Sequence, residues 1–305
     1  NVHVMEFRGL LVRSSSPITH WEEAALRLQQ LATTVMAEKL FSADGPCVTT
    51  ELSTAMWRKA VVPVDPDPFA EEKHASNELA LALRPAMDAL LEAQPSPETQ
   101  LATAIRLALL GNYIDLHASF HTGAAATSEF IHGLLEAHLD DPLGVDDMDA
   151  AVKALQAADR VLYLFDNAGE IAFDAVLIDL LVSLGKQVVG VVKLPFANNA
   201  TLDDARQVGL SPKLPVVSTE DNTDGLPQDW PHSTNVHFAR LFREPGWLKV
   251  MKGMSLYESS TEPAFDQYGP YLHLLKLKCE RILRDVEQRT GQPVRLLDSV
   301  VWIRK

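Results

Sequence analysis

The segment running from Arg160 to Asp174 constrains this chain more than any other stretch. An apolar run of strand length, Val161 to Phe165, drops into a polar turn, Asp166-Asn167-Ala168-Gly169, and helical spacing resumes through Ile171, Val176, Leu177 and Leu180. Strand, turn and helix in so few residues imply an open α/β sheet. In such sheets ligands gather where strand carboxyl ends meet helix N-termini. Asp166 and Asn167 therefore stand where a metal and phosphate site is expected, although the same four residues suit a helix cap and tight turn equally well.

The grammar on either side of residue 147 differs. Before it, apolar residues recur at helical spacing over Trp21 to Leu40, Thr50 to Lys59, Ala70 to Glu92, Glu98 to Leu110 and Ala124 to Leu139, with proline-rich breaks between. After the acidic, proline- and glycine-containing run at 140–149, strands and helices alternate. Helices are expected at Met148 to Ala157, Ile171 to Leu184 and Tyr271 to Glu287. Strands are expected at Val161 to Phe165, Gln187 to Val192, Val216-Val217, Leu248 to Met251 and Val294 to Val301. The expected division is a mostly helical domain at 1–147 and an α/β domain at 148–305.

Bulk properties narrow the function. A formal net charge of -14 argues against nucleic-acid binding, because backbone phosphates are held by clustered Lys and Arg. Cys47 and Cys279 have no zinc-like spacing, and no apolar stretch reaches the length of a membrane span. The N-terminus has no signal-peptide core, so the cytoplasm is the expected compartment. No Walker loop, G-x-S-x-G elbow or G-x-G-x-x-G fingerprint occurs, and His117 with His121 has no acidic partner at protease spacing. An acidic protein acting on an anion needs a local cation. Strand ends supply it: Asp166-Asn167 after one, Asn198-Asn199 and Asp203-Asp204 beyond the next, and Lys252-Gly253 after a third. Carboxylate and amide oxygens favour magnesium or manganese over zinc.

The ordered set Asp166-Asn167-Ala168-Gly169-Glu170, Phe173-Asp174, Val192-Lys193, Pro195, Asn198, Ala200-Thr201 and Asp204 resembles the signature of the DUF89 family. Further landmarks agree in order: Asp67-Pro68-Phe69 with Lys73 and Asn77, Gly111 to Asp115, Lys252-Gly253 with Tyr257-Glu258, and Leu274 to Lys276 with Lys278-Cys279. The resemblance implies a three-layer α/β/α, Rossmann-like domain with a mostly parallel sheet beside an N-terminal helical domain. It implies damage-control phosphatase chemistry on small phosphorylated metabolites, with a divalent metal, manganese, cobalt, nickel or magnesium, held by Asp166, Asn167 and Asn199. Asn199 stands where the family usually carries an aspartate, and Asp203 is the alternative third ligand reachable by a short loop shift. Leu256 and the turn Ser218 to Asn222 also depart from the pattern. On this reading Asp166 is a ligand or a carboxylate nucleophile and Lys252 neutralises developing charge. Asn112, Asp115, Glu170 and Lys252 contact substrate. Two alternatives stay open: a carboxyl methyltransferase using S-adenosylmethionine, as assigned to a human relative of the family, and a non-catalytic binder of phosphometabolites.

Overall fold

A computed structural model of the chain describes residues 30, 33–34, 66–67, 69–111, 132–133, 135, 137–143, 145–193, 195, 198–219, 236–252, 271–276 and 299–304. The expected helices at Trp21 to Leu40 and Thr50 to Lys59 lie outside these residues, save for three helical positions at 30, 33 and 34. Three helices open the described part: α1, Ala70–Leu81; α2, Arg84–Glu92; and α3, Pro97–Leu110. A single helix from Ala70 to Glu92 was expected, and Pro85 explains the difference. It cannot donate to the carbonyl of Leu81 and its ring crowds that group, so α1 closes through Ala82 N–H to Glu78 O and Leu83 N–H to Ala80 O, and α2 starts afresh with the proline in its first turn. Ser96 caps α3 through the Thr99 amide.

The chain then alternates: β1, Val145–Asp146; α4, Met148–Ala157; β2, Arg160–Leu164; α5, Glu170–Ser183; β3, Gln187–Val192; α6, Leu202–Gln207; β4, Val216–Ser218; α7, Val236–Arg243; β5, Trp247–Lys252; β6, Tyr271–Lys276; and β7, Ser299–Arg304. Among the described residues the strands form one sheet in the order β1-β7-β6-β5-β2-β3-β4. All pairs are parallel except β6 with β7, so the sheet is mostly parallel and the fold is α/β. Residues 271–276 were expected to be helical and are strand. Tyr-Leu-His-Leu-Leu-Lys is too short a run to separate period 2 from period 3.6, and pairing with β5 on one side and β7 on the other decides it.

Side-chain alternation along β2 builds three layers. Val161, Tyr163 and Phe165 face the core shared with α1 to α5, while Leu162 and Leu164 join Val189, Val191 and Met251 against Phe238 and Phe242 of α7. Helix α5 is buried on every side from Glu170 to Ile178, because α1, α2 and α3 cover the face turned away from the sheet. Strand order reverses at β2: the chain steps outward to β3 and β4, then returns to β5 on the opposite flank. The ends of β2 and β5 therefore bound the crevice of a topological switch point. No helix among the described residues is long and apolar enough to cross a membrane.

Phe165 reaches this position by lying across β3 at Gly190, where an added Cβ would sit 2.8 Å from its Cε2 atom. Gly190→Ala should therefore lower stability by about 1–3 kcal/mol through overpacking, read as a lower midpoint of urea unfolding with an unchanged slope.

Candidate functional site

Past β2, the backbone continues into a short ladder with the loop that follows β3. Ala200 N–H donates to Asp166 O at 3.0 Å, Ala168 N–H to Asn198 O at 2.8 Å, and Lys193 N–H to Ala200 O at 3.0 Å. Asn167 and Asn199 face each other as an antiparallel bridge. Residues 32 apart in sequence, as 199 is from 167, are thereby fixed opposite one another by main chain alone. Gly169 completes the turn at φ 79°, a left-handed conformation that strains other residues, and α5 begins at the next residue. Asp166, Asn167, Asn198 and Asn199 are all buried.

Each side chain is held by a specific partner. Asp166 Oδ1 accepts from Lys193 Nζ at 2.8 Å, while its other oxygen accepts nothing from a described residue. Asn167 Nδ2 donates to Glu170 Oε1 at 3.0 Å, which turns the amide oxygen away from Glu170. Glu170 Oε2 lies 3.4 Å from Lys252 Nζ. That ammonium also donates to Asp174 Oδ1 at 2.9 Å and to Ala108 O at 2.5 Å, and Asp174 Oδ1 accepts the Tyr163 hydroxyl at 2.9 Å. Glu170, Asp174 and Lys252 are each 0% exposed.

Burial pushes the Asp174 carboxyl above its ordinary range, and Lys252 pulls against that rise. Burial pulls Lys252 down, but Asp174 and Glu170 outweigh it and its pKa stands above the ordinary lysine value. Burial beside Asp174 drives Tyr163 well above its usual range, so it remains a neutral donor. One ammonium thus faces two carboxylates directly behind Asn167.

A second polar group reaches the loops from α1. Asn77 Oδ1 accepts the Gly169 amide at 2.7 Å, and its Nδ2 donates to Asp204 Oδ1 and Gln207 Oε1, each at 2.8 Å. Asp204 Oδ2 accepts from the Thr201 amide at 2.7 Å and the Thr201 hydroxyl at 2.6 Å. Lys73 pairs with Asp67 and lies 3.5 Å from Asp204.

Of the residues named from the sequence, Asp166, Asn167, Glu170 and Asn199 meet in one place, and Lys252 joins them through Glu170 rather than through Asp166. The cation on Asp166 is Lys193, which sequence reasoning placed in the motif without giving it a role; its position at the end of β3 was the available signal. Asp203 is exposed and paired with Arg206, so the position opposite Asn167 belongs to Asn199. Asn112 and Asp115 lie outside the described residues, as does Leu256. Among the described residues no cluster of three or more His, Cys, Asp or Glu side chains is shaped for a metal. The side chains that these loops bring together are one carboxylate and two amides. They fit an oxygen-seeking cation, since Asp166 keeps an oxygen open and Glu170, accepting from the far end of the Asn167 amide, raises the electron density on its carbonyl.

Comparison with known proteins bears on the family and the fold. A family model described as "Damage-control phosphatase ARMT1-like domain" matches residues 15–294. An uncharacterized protein of Methanocaldococcus jannaschii is 30% identical over 235 residues, covering 75% of this chain and 73% of that protein. A protein of Archaeoglobus fulgidus named damage-control phosphatase is 28% identical over 256 residues, covering 81% of this chain and 82% of its own length. A crystal structure of a DUF89 family protein from Pyrococcus horikoshii superposes with a TM-score of 0.72 at 22% identity, covering 94% of this chain and 92% of that one.

The buried cluster makes a direct expectation. Lys252→Met should cost about 3–5 kcal/mol at neutral pH, because it takes the buried ammonium away from Asp174 and Glu170. Removing that cation raises the folded-state pKa of Asp174 further, so the folded state holds protons that the unfolded state has released. The variant's deficit should shrink as pH falls toward the unfolded carboxylate range and grow as pH rises, which urea unfolding across pH would read.

Proposed function

This chain belongs to the damage-control phosphatase ARMT1-like family, and from that premise we propose that it is a metal-dependent phosphomonoester hydrolase acting on small phosphorylated metabolites. The observation that supports this reading is the convergence of Asp166, Asn167 and Asn199 on two loops zipped together by backbone, with the Lys193 ammonium 2.8 Å from the Asp166 carboxylate. In this proposal Asp166, Asn167 and Asn199 hold a divalent cation through side-chain oxygens. The cation, when bound, polarises the phosphoryl oxygens and orients water.

The chain's own groups do the rest. Lys193, beside the open Asp166 oxygen, is placed to neutralise charge developing on the phosphoryl group. Lys252, committed to Asp174, Glu170 and a main-chain oxygen, acts from behind by holding Glu170 on Asn167. The assignment of Lys252 is thereby moved from substrate contact to support. Asn199 leaves the ligand set with one formal negative charge, on Asp166.

A panel of sugar phosphates and other phosphomonoesters, assayed for phosphate release with manganese, cobalt, nickel or magnesium, tests the reading. Release should occur with at least one cation and stop on chelation. Asp166→Asn should reduce kcat/KM by about 100-fold or more while the fold is retained by circular dichroism. Release that survives both chelation and Asp166→Asn would sink the proposal, and binding without release would move the chain to the phosphometabolite-binding alternative. Asn199→Asp should tighten manganese binding by about tenfold in calorimetric titration, because it restores a charged oxygen.

A further inference from the structure

Asn77 is placed as no ordinary helix-surface amide is: fully buried on α1, it spans both loops of the site. Its oxygen takes the amide of Gly169, the residue at the turn between Asp166-Asn167 and α5. Its nitrogen is shared between Asp204 and Gln207 of α6, immediately beyond Asn199. Asp204, in turn, spends its second oxygen on the Thr201 amide and hydroxyl, locking the exit of the second loop. Three hydrogen bonds, each at or below 2.8 Å, therefore converge on one side-chain amide from both segments, and Gln207 Nε2 adds a bond to the His74 carbonyl of α1. Lys73, one helical turn earlier, adds positive charge beside Asp204 and takes Asp67 as its second partner.

We infer that Asn77 is a positioning residue of the site: with Asp204 it sets the separation between the loop carrying Asp166 and Asn167 and the loop carrying Asn199. The cation-binding part of this inference rests on the proposed function above; the loop-clamping part does not. An amide is required because the position must accept from a main-chain N–H and donate to a carboxylate at once, which neither Asp nor a small apolar residue does. In Asn77→Asp a second carboxylate would face Asp204 Oδ1, pushing α6 away from the turn. Exchanging the two side chains, Asn77→Asp with Asp204→Asn, restores an amide facing a carboxylate.

Hydrogen–deuterium exchange without added metal tests the clamp. In Asn77→Ala, amides in the peptides spanning 166–171 and 198–204 should both exchange about tenfold faster or more, while those of residues 175–183 in α5 keep their protection. Acceleration confined to one loop, or spread equally through α5, overturns the inference. Manganese titration tests its consequence for the site. Asn77→Asp should bind about tenfold or more weakly, the exchanged double variant should return to within about threefold of the parent, and Val152→Ala, a destabilising core truncation in α4, should bind as the parent does. Loss of affinity that the exchange fails to restore, or an equal loss in Val152→Ala, overturns it. If Asn77→Asp does not accumulate folded, the double variant is read directly against the parent, and a folded double variant binding about tenfold more weakly overturns the inference. If the parent itself takes up no manganese, it is the proposed function that fails, and the exchange measurement alone decides the clamp.

Discussion

One ammonium group ties the layers of this molecule together. Lys252 leaves the end of β5, crosses the switch point and meets a carbonyl of α3 and two carboxylates of α5, with no exposure to solvent. Removing an ion from water costs several kcal/mol, and the cost is tolerated only where geometry and hydrogen bonding are good. Here both are. The consequence is orientational: β5 cannot slide against α5, nor α5 against α3, without separating buried charge. Glu170 is the terminus of this arrangement, and through it the sheet fixes which end of the Asn167 amide meets a carboxylate.

Main chain, rather than side chain, brings the remaining donors together. The bridge between Asn167 and Asn199 and the hydrogen bonds flanking it form a miniature ladder beyond the formal ends of β2 and β3. Parallel strands splay their following loops toward different helices, so an added antiparallel contact is needed if those loops are to act as one surface. The turn at Gly169 returns the chain into α5 without breaking that contact. Seen this way, α1 completes the structure from outside, with Asn77 resting on the seam between the loops.

Much of this was legible in the residues alone. The strand at 160–164, the helix at 170–183 and the strand at 187–192 follow from an apolar run, a glycine turn and a clear change of period, and the sheet confirms all three. The family resemblance drawn from the ordered motifs agrees with the model matched over residues 15–294. Other features have no linear signature. Pattern reading singles out Lys252 as the cation of the site and gives Lys193 no role, yet Lys252 is sealed under α3 and Lys193 touches Asp166. Residues 271–276 carry too few periods to declare themselves, and sheet pairing settles their state. Asp203 and Asp204 are neighbours of the same chemistry. A single residue step along the helix, about 100°, sends one to solvent with Arg206 and the other inward to Asn77, Lys73 and Thr201.

The full burial of Glu170, Asp174 and Lys252 has a further consequence for the response to salt. Mobile ions in solution screen exposed charges within a Debye length of about 8 Å at physiological ionic strength, but they cannot enter a packed interior. The attraction between Lys252 and its two carboxylates therefore belongs to the fold itself. It persists in concentrated electrolyte as in dilute buffer, and the hold of β5 on α5 survives salinities that would silence ion pairs on the outer surface of the same chain.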